Sequence, residues 1–171
     1  MRQKNTDIFL LLFFITFSLM NFDYAGDEAA DRLNRVVEEY MNLKNSLVHA
    51  RTDLSGPWAE RLETTLATTP NDIFDEDEVP DWQAFQGVMM DAVGDMIEND
   101  DIDIHREALG QLSAELKELL NTFGNPADEL YVFSCSDYGD GDVIWLSDSD
   151  EVANPYHGPE NLDCGEIVGQ L

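Results

Sequence analysis

Two cysteines, Cys135 and Cys164, a histidine at 157, and a run of aspartates, Asp137, Asp140 and Asp142, are the side chains of this 171-residue chain whose types could do chemistry. Thiolates are soft donors that suit Cu(I) and accept Zn(II), and imidazole is a common companion ligand, so Cys135, Cys164 and His157 make a candidate three-coordinate metal set. The same two cysteines are the only ones in the chain and spell a disulfide in any oxidising compartment. Spacing leaves both readings open, because there is no CxxC, no paired-histidine spacing and no methionine beside either cysteine. As a disulfide, closing a loop of about 30 residues would contribute roughly 3 to 4 kcal/mol in the chain-entropy model.

The aspartates invite a calcium loop, since hard cations take carboxylate oxygens. The register fails: with Gly141 as the central glycine, Ser136 and Tyr138 stand where acids are needed and Ser147 stands at the closing glutamate. They read as an acidic hairpin turn. Met89 and Met96 fall on an apolar helical stripe and are expected to pack in the core rather than to ligate. His49 and His105 have no companion at ligand spacing and are expected at the surface. No GxSxG or other placed nucleophile appears, and carboxylates are so abundant that no pair of them stands out, so no enzyme is indicated.

The elements that must position these residues follow from periodicity. Leu33, Val36, Val37, Tyr40, Met41, Leu47 and Val48 recur at helical spacing within residues 29–52. A second helix is expected over 55–68, with Ser55 as its N-cap and Pro57 in its first turn. A third spans about 80–98 and a fourth about 103–123, the latter capped by an aspartate and closed by Gly124. Four amphipathic helices with short links predict an antiparallel four-helix bundle. Past Pro126, "ELYVFSCS" and "DVIWLSD" are rich in aromatic and β-branched residues and flank a glycine turn, which predicts a β-hairpin. A short third strand is expected around Glu166 to Val168, so the β tail covers about 128–171. The fold class is mainly α with a small C-terminal β-hairpin or three-stranded element.

Arg2 and Lys4 precede a 13-residue apolar run from Ile8 to Met20, followed by small residues suited to cleavage near Ala25. Residues 1–25 read as a secretory signal peptide, leaving 26–171 as a single domain. The run is shorter than the roughly 20 residues of a membrane span, so no stable membrane insertion is expected after cleavage. The formal charge is −27, and removing the leader leaves it unchanged because it carries two acids and two bases. Such a surface repels phosphate backbones and argues against nucleic acid. It matches the solvated surface of a halophile's protein, where salt screens self-repulsion. With 43% apolar residues the chain still has the material for a core.

The helical body together with "WLSDSDEVANPY", residues 145 to 156, and "DCGEI" near the C-terminus resembles an uncharacterised bacterial domain family known mainly from the Bacteroidetes. "DIDIHREALGQLSAEL", residues 101 to 116, is similar to the start of that family's last helix. The family occurs as small secreted proteins and as a domain appended to periplasmic adaptor subunits of copper/silver efflux systems. Its members commonly carry Cys-Pro-Met in the first strand and a methionine shortly before the second cysteine. Here Ser136 and Asp137 follow Cys135, Asn161 stands at about the later methionine, and His157 takes a position that is usually aromatic. Cys135 and Cys164 match, both thioethers are missing, and His157 is a replacement donor.

The resemblance thus implies a periplasmic or secreted, non-enzymatic accessory protein that binds a soft heavy-metal ion, copper or zinc, beside an efflux-system component. Cys135, Cys164 and His157 would be its ligands. The alternative is a structural or protein-interaction module with a Cys135–Cys164 disulfide and no metal. The sequence is silent on oligomeric state. If the charge is a halophile's adaptation, raising NaCl from about 0.1 M to about 2 M should raise the melting temperature, as screening relieves self-repulsion; a flat or falling Tm in calorimetry would refute that account.

Overall fold

The computed structural model describes residues 4–138 and 141–171, with side chains from residue 26 onward. The expected leader, residues 1–25, therefore lies outside the residues described in full. Four helices, α1 (Lys4–Val48), α2 (Thr52–Thr68), α3 (Val79–Glu98) and α4 (Ile102–Phe123), precede three strands, β1 (Tyr131–Tyr138), β2 (Gly141–Ser147) and β3 (Glu166–Gln170). The chain is mainly helical, with a small antiparallel three-stranded sheet at its C-terminal end. Among the described residues no helix is long and apolar enough to cross a membrane.

The helix boundaries have local causes. Asp101 accepts from the Asp103 N–H at 3.0 Å and so caps α4, and Gly124, at φ +90°, ends it. The first helix stops at Val48, short of the expected residue 52, although no glycine or proline interrupts it. The break is a backbone cap: Ala50 takes the left-handed conformation at φ 52°, its N–H bonds Leu47 O, and Arg51 N–H bonds Ser46 O. An alanine there carries no sequence signal. As a result α2 begins at Thr52, which overturns the reading of Ser55 as N-cap. Ser55 lies inside the helix, fully buried, and Pro57 sits a turn deeper than expected.

Consecutive helices pack on one another, α1 on α2, α2 on α3 and α3 on α4, while β2 lies against α4 and, less extensively, α1. The apolar stripes meet in one core that runs from Leu33 through Met89, Met96 and Leu112 to Phe133 and Trp145 beneath the sheet. Phe74 stacks on Trp82 at 4.8 Å and meets Phe123 at 5.2 Å at one end; Phe133 stacks on Trp145 at 5.2 Å at the other. Met89 and Met96 are core residues, as their spacing predicts.

The sheet order is β2-β1-β3, both pairings antiparallel. Phe133 stands opposite Trp145 on β2 and Ile167 on β3. The outer edge of β2 is not left bare: the Leu146 N–H donates to the Tyr40 hydroxyl at 3.0 Å. That hydroxyl in turn contacts Ser113 Oγ at 2.7 Å, and Ser113 donates to Leu109 O at 2.7 Å.

One cation is buried at this junction. Lys44 on α1 is 2% exposed, with Nζ 3.5 Å from Ser147 Oγ at the end of β2. Burial pushes it down to about 8, partly opposed by the Asp148 carboxylate. Because the folded state holds this proton less tightly than the unfolded chain, the unfolded chain binds more protons between about pH 8 and about pH 10.5, and stability rises with pH across that window. Above about pH 10 the phenols of Tyr40 and Tyr156, raised by burial, act in the opposite sense. We expect Lys44→Met to raise stability at neutral pH by about 1 to 3 kcal/mol and to abolish the rise from pH 8 to pH 9.5. Urea unfolding of both proteins at the two pH values checks this; a destabilised variant would show that the ammonium is well paired.

Candidate functional site

The tail brings together the three residues singled out from sequence. Cys135, in β1, is buried beside Trp145 and Phe133 in the core beneath the sheet, and Cys164 stands two residues ahead of β3. His157 heads the short 3-10 turn Gly158–Glu160. One ligand atom from each of Cys135, His157 and Cys164 lies within 4.8 Å of the others. Among the described residues this is the one convergent group of three or more His, Cys, Asp or Glu. The two sulfurs are bonded to each other, with S–S 2.09 Å and Cα–Cα 5.8 Å across a separation of 29 residues.

Each member is held by its own local structure. The Asp137 carbonyl, which can only accept, takes a hydrogen bond from His157 Nε2 at 3.0 Å, and the Tyr138 ring stands edge-on to the imidazole at 5.5 Å. Asn154, fully buried, is the hub of the loop. Its Nδ2 donates to Cys164 O at 2.7 Å, and its Oδ1 accepts from the N–H groups of Tyr156 at 2.7 Å and His157 at 2.9 Å. A single amide thus sets both the second cysteine and the histidine. Tyr156 donates to Ile144 O on β2 and fills the space between that strand and Gly110 of α4. Gly165 follows the cysteine for a steric reason: at φ +150°, a Cβ there would lie 2.5 Å from Trp145 Cη2.

In this covalent state the donor set does not fit copper or zinc. Each sulfur is satisfied by the other, and the two thioethers that the family resemblance would bring are absent, which leaves one imidazole as donor. Asp137 contributes its backbone carbonyl rather than its carboxylate, Asp142 is exposed, and Asp140 lies outside the described residues. Among the described residues, neither Asp137 nor Asp142 contributes a carboxylate to the cluster.

A second pair was missed by sequence reading. His105, expected at the surface, is 1% exposed. Its Nδ1 meets Ser55 Oγ at 2.7 Å and its Nε2 donates to Asn99 O at 2.7 Å. This serine–histidine contact ties α2 to α4 and to the turn before it. Both side chains are sealed in the core and no carboxylate orients the ring, so the pair is structural. The usable signal was the helical position of His105, one turn ahead of Ala108 and Leu109 on the buried stripe.

The geometry defines a helical domain carrying a C-terminal sheet whose cysteines converge on a histidine. The chain belongs to the family described as protein of unknown function DUF3347, whose family model matches residues 36–128. The match covers the helical body and ends ahead of β1, so the cysteine-bearing tail lies beyond the matched residues. No curated protein and no solved structure matches the chain.

Replacing Asn154 with Ala strands the buried Tyr156 N–H and the part-buried His157 N–H and Cys164 carbonyl, and the expected cost is about 2 to 4 kcal/mol. Urea denaturation followed by tryptophan fluorescence measures it, since Trp145 reports on this region. An effect below about 0.5 kcal/mol, the range of neutral surface substitutions, would refute the hub assignment.

Proposed function

We propose that the protein is a non-enzymatic accessory module acting outside the cytosol in heavy-metal handling. Its helical body is an antiparallel four-helix bundle, and its cysteine–histidine cluster is the point of contact with a soft ion. The observation that supports this is the convergence of two sulfurs and an imidazole within 4.8 Å. The resemblance to domains appended to copper/silver efflux adaptors supplies the context, with an efflux component as the partner. The disulfide supports an oxidising compartment. A non-enzymatic role is supported by the burial of the Ser55–His105 pair, whose hydroxyl and imidazole are both sealed from solvent.

Ion binding belongs to the reduced protein on this reading. Two electrons and two protons, from a thiol reductant, return Cys135 and Cys164 to thiols. Their deprotonation then gives two thiolates which, with His157, form a donor set suited to Cu(I) or Zn(II). The second reading is a structural or interaction module in which the sulfur bond stays closed, as it is here.

Native mass spectrometry separates the two, using the mature protein before and after reduction with Cu(I) and Zn(II) offered. The metal reading expects one ion per reduced chain, lost in Cys135→Ser and weakened in His157→Ala. A mass lower by two hydrogens with no specific uptake in either state would overturn it and leave the structural module.

A further inference from the structure

The two outer edges of the sheet are treated differently. That of β2 is covered by helices and receives the Tyr40 hydroxyl. The outer edge of β3 meets no other element among the described residues, because β3 packs against β1 alone. Leu130 and Leu171 exchange both backbone hydrogen bonds. By the alternation of an antiparallel ladder, the neighbouring Gln170 therefore turns its N–H and C=O outward, away from β1. The side chains of β3 are exposed as well. Ile167 is 47% and Val168 55% exposed, and Val168 is the extra residue of a bulge, because Val132 pairs with Gly169 and Phe133 with Ile167. With Leu162 they make three of the four large apolar side chains left exposed among the described residues, all within one short segment.

The charge around this edge has one sign. After Lys117 the sequence holds no Lys or Arg. Glu166 stands at one end of β3, and Glu129 stands at the other, where its carboxylate accepts from the Gln170 side-chain amide. The edge is an apolar centre between two carboxylates about 13 Å apart along the strand. A second copy fits it poorly, because antiparallel self-pairing would set Glu166 of each chain against Gln170 and Glu129 of the other.

We propose that the outer edge of β3 is a docking site for an extended segment of a partner protein, apolar at its centre and basic at both ends, which adds to the sheet as a fourth strand. The backbone ladder supplies affinity, the exposed Ile167 and Val168 supply apolar contact, and Glu166 and Glu129 select basic flanks. This inference is independent of the metal reading and concerns the disulfide-bonded protein.

The test uses the oxidised full chain and a capped peptide, Thr-Lys-Val-Thr-Val-Lys-Thr, with a Glu-for-Lys peptide as control. Saturable binding of the lysine peptide alone is expected, with slowed hydrogen exchange at the Gln170 amide and affinity falling about tenfold between low and high salt. Val168→Lys, at an exposed site, should weaken binding by about tenfold through like-charge opposition across the new ladder. Leu54→Lys, the same charge change on α2, should leave it unaltered. Three results would overturn the proposal: no binding at low salt, an equal loss in Leu54→Lys, or sedimentation showing a dimer that Val168→Lys dissolves, which would assign the edge to a second copy.

Discussion

The hydrogen-bond chain through the Tyr40 hydroxyl decides how the tail meets the helices. Leu146 N–H donates to Tyr40 Oη, Tyr40 donates to Ser113 Oγ, and Ser113 donates to Leu109 O, so every proton in the relay has one direction. Three elements, α1, α4 and β2, are thereby fixed at a fully buried point where an unpaired polar atom would cost several kcal/mol by the order of such penalties. Burial raises the phenol to about 12, so the relay keeps its protons at any ordinary pH. β1 follows β2 through their ladder, and Cys135 follows β1. The position of the candidate site is in this sense inherited from a tyrosine of the first domain helix.

Where the sequence spoke clearly, it spoke through period. Helical spacing of apolar residues located all four helices, and the change to β-branched and aromatic residues after Pro126 located the strands, because burial on one face imposes those periods directly. The failures have physical causes. The end of α1 is made by a backbone cap at Ala50, which has no residue signature. Ser55, His105 and Lys44 are polar residues whose burial depends on partners in other elements, and a sequence does not show the partner. The three members of the cluster were named from type and proximity in the tail, but Asn154, which holds two of them, was visible only as part of a resembling motif.

The charge and the core act at different ranges. A net −27 opposes compaction everywhere on the surface, whereas the contacts that define the fold are short-range and buried. The few bases are spent locally: Arg51 on Asp53 at 2.6 Å, Lys117 on Glu118 at 2.6 Å, and Lys44 in the junction. Arg106 on α4 is the base that reaches the tail, its guanidinium lying beside Gly158 and near the Tyr138 phenol. The negative field is therefore relieved by Arg106 beside the histidine turn but stays uncompensated by any Lys or Arg of the tail itself, which holds none after Lys117.

The disulfide lies in an arrangement that backbone and side-chain hydrogen bonds also hold. Closing a loop of about 30 residues is worth roughly 3 to 4 kcal/mol only against a chain in which that loop is otherwise open. Here other bonds close it as well. β1 and β3 pair from Tyr131–Gln170 to Ser134–Glu166, Leu130 and Leu171 exchange their backbone bonds, and Asn154 grips the Cys164 carbonyl. Cys135 lies next to Ser134, and Cys164 is two residues from Glu166, so the ladder itself delivers the sulfurs to each other. His157 arrives through Asn154 and the Asp137 carbonyl, neither of which involves sulfur. The strand ladder and the Asn154 amide hold Cys135, Cys164 and His157 together by bonds that do not pass through sulfur.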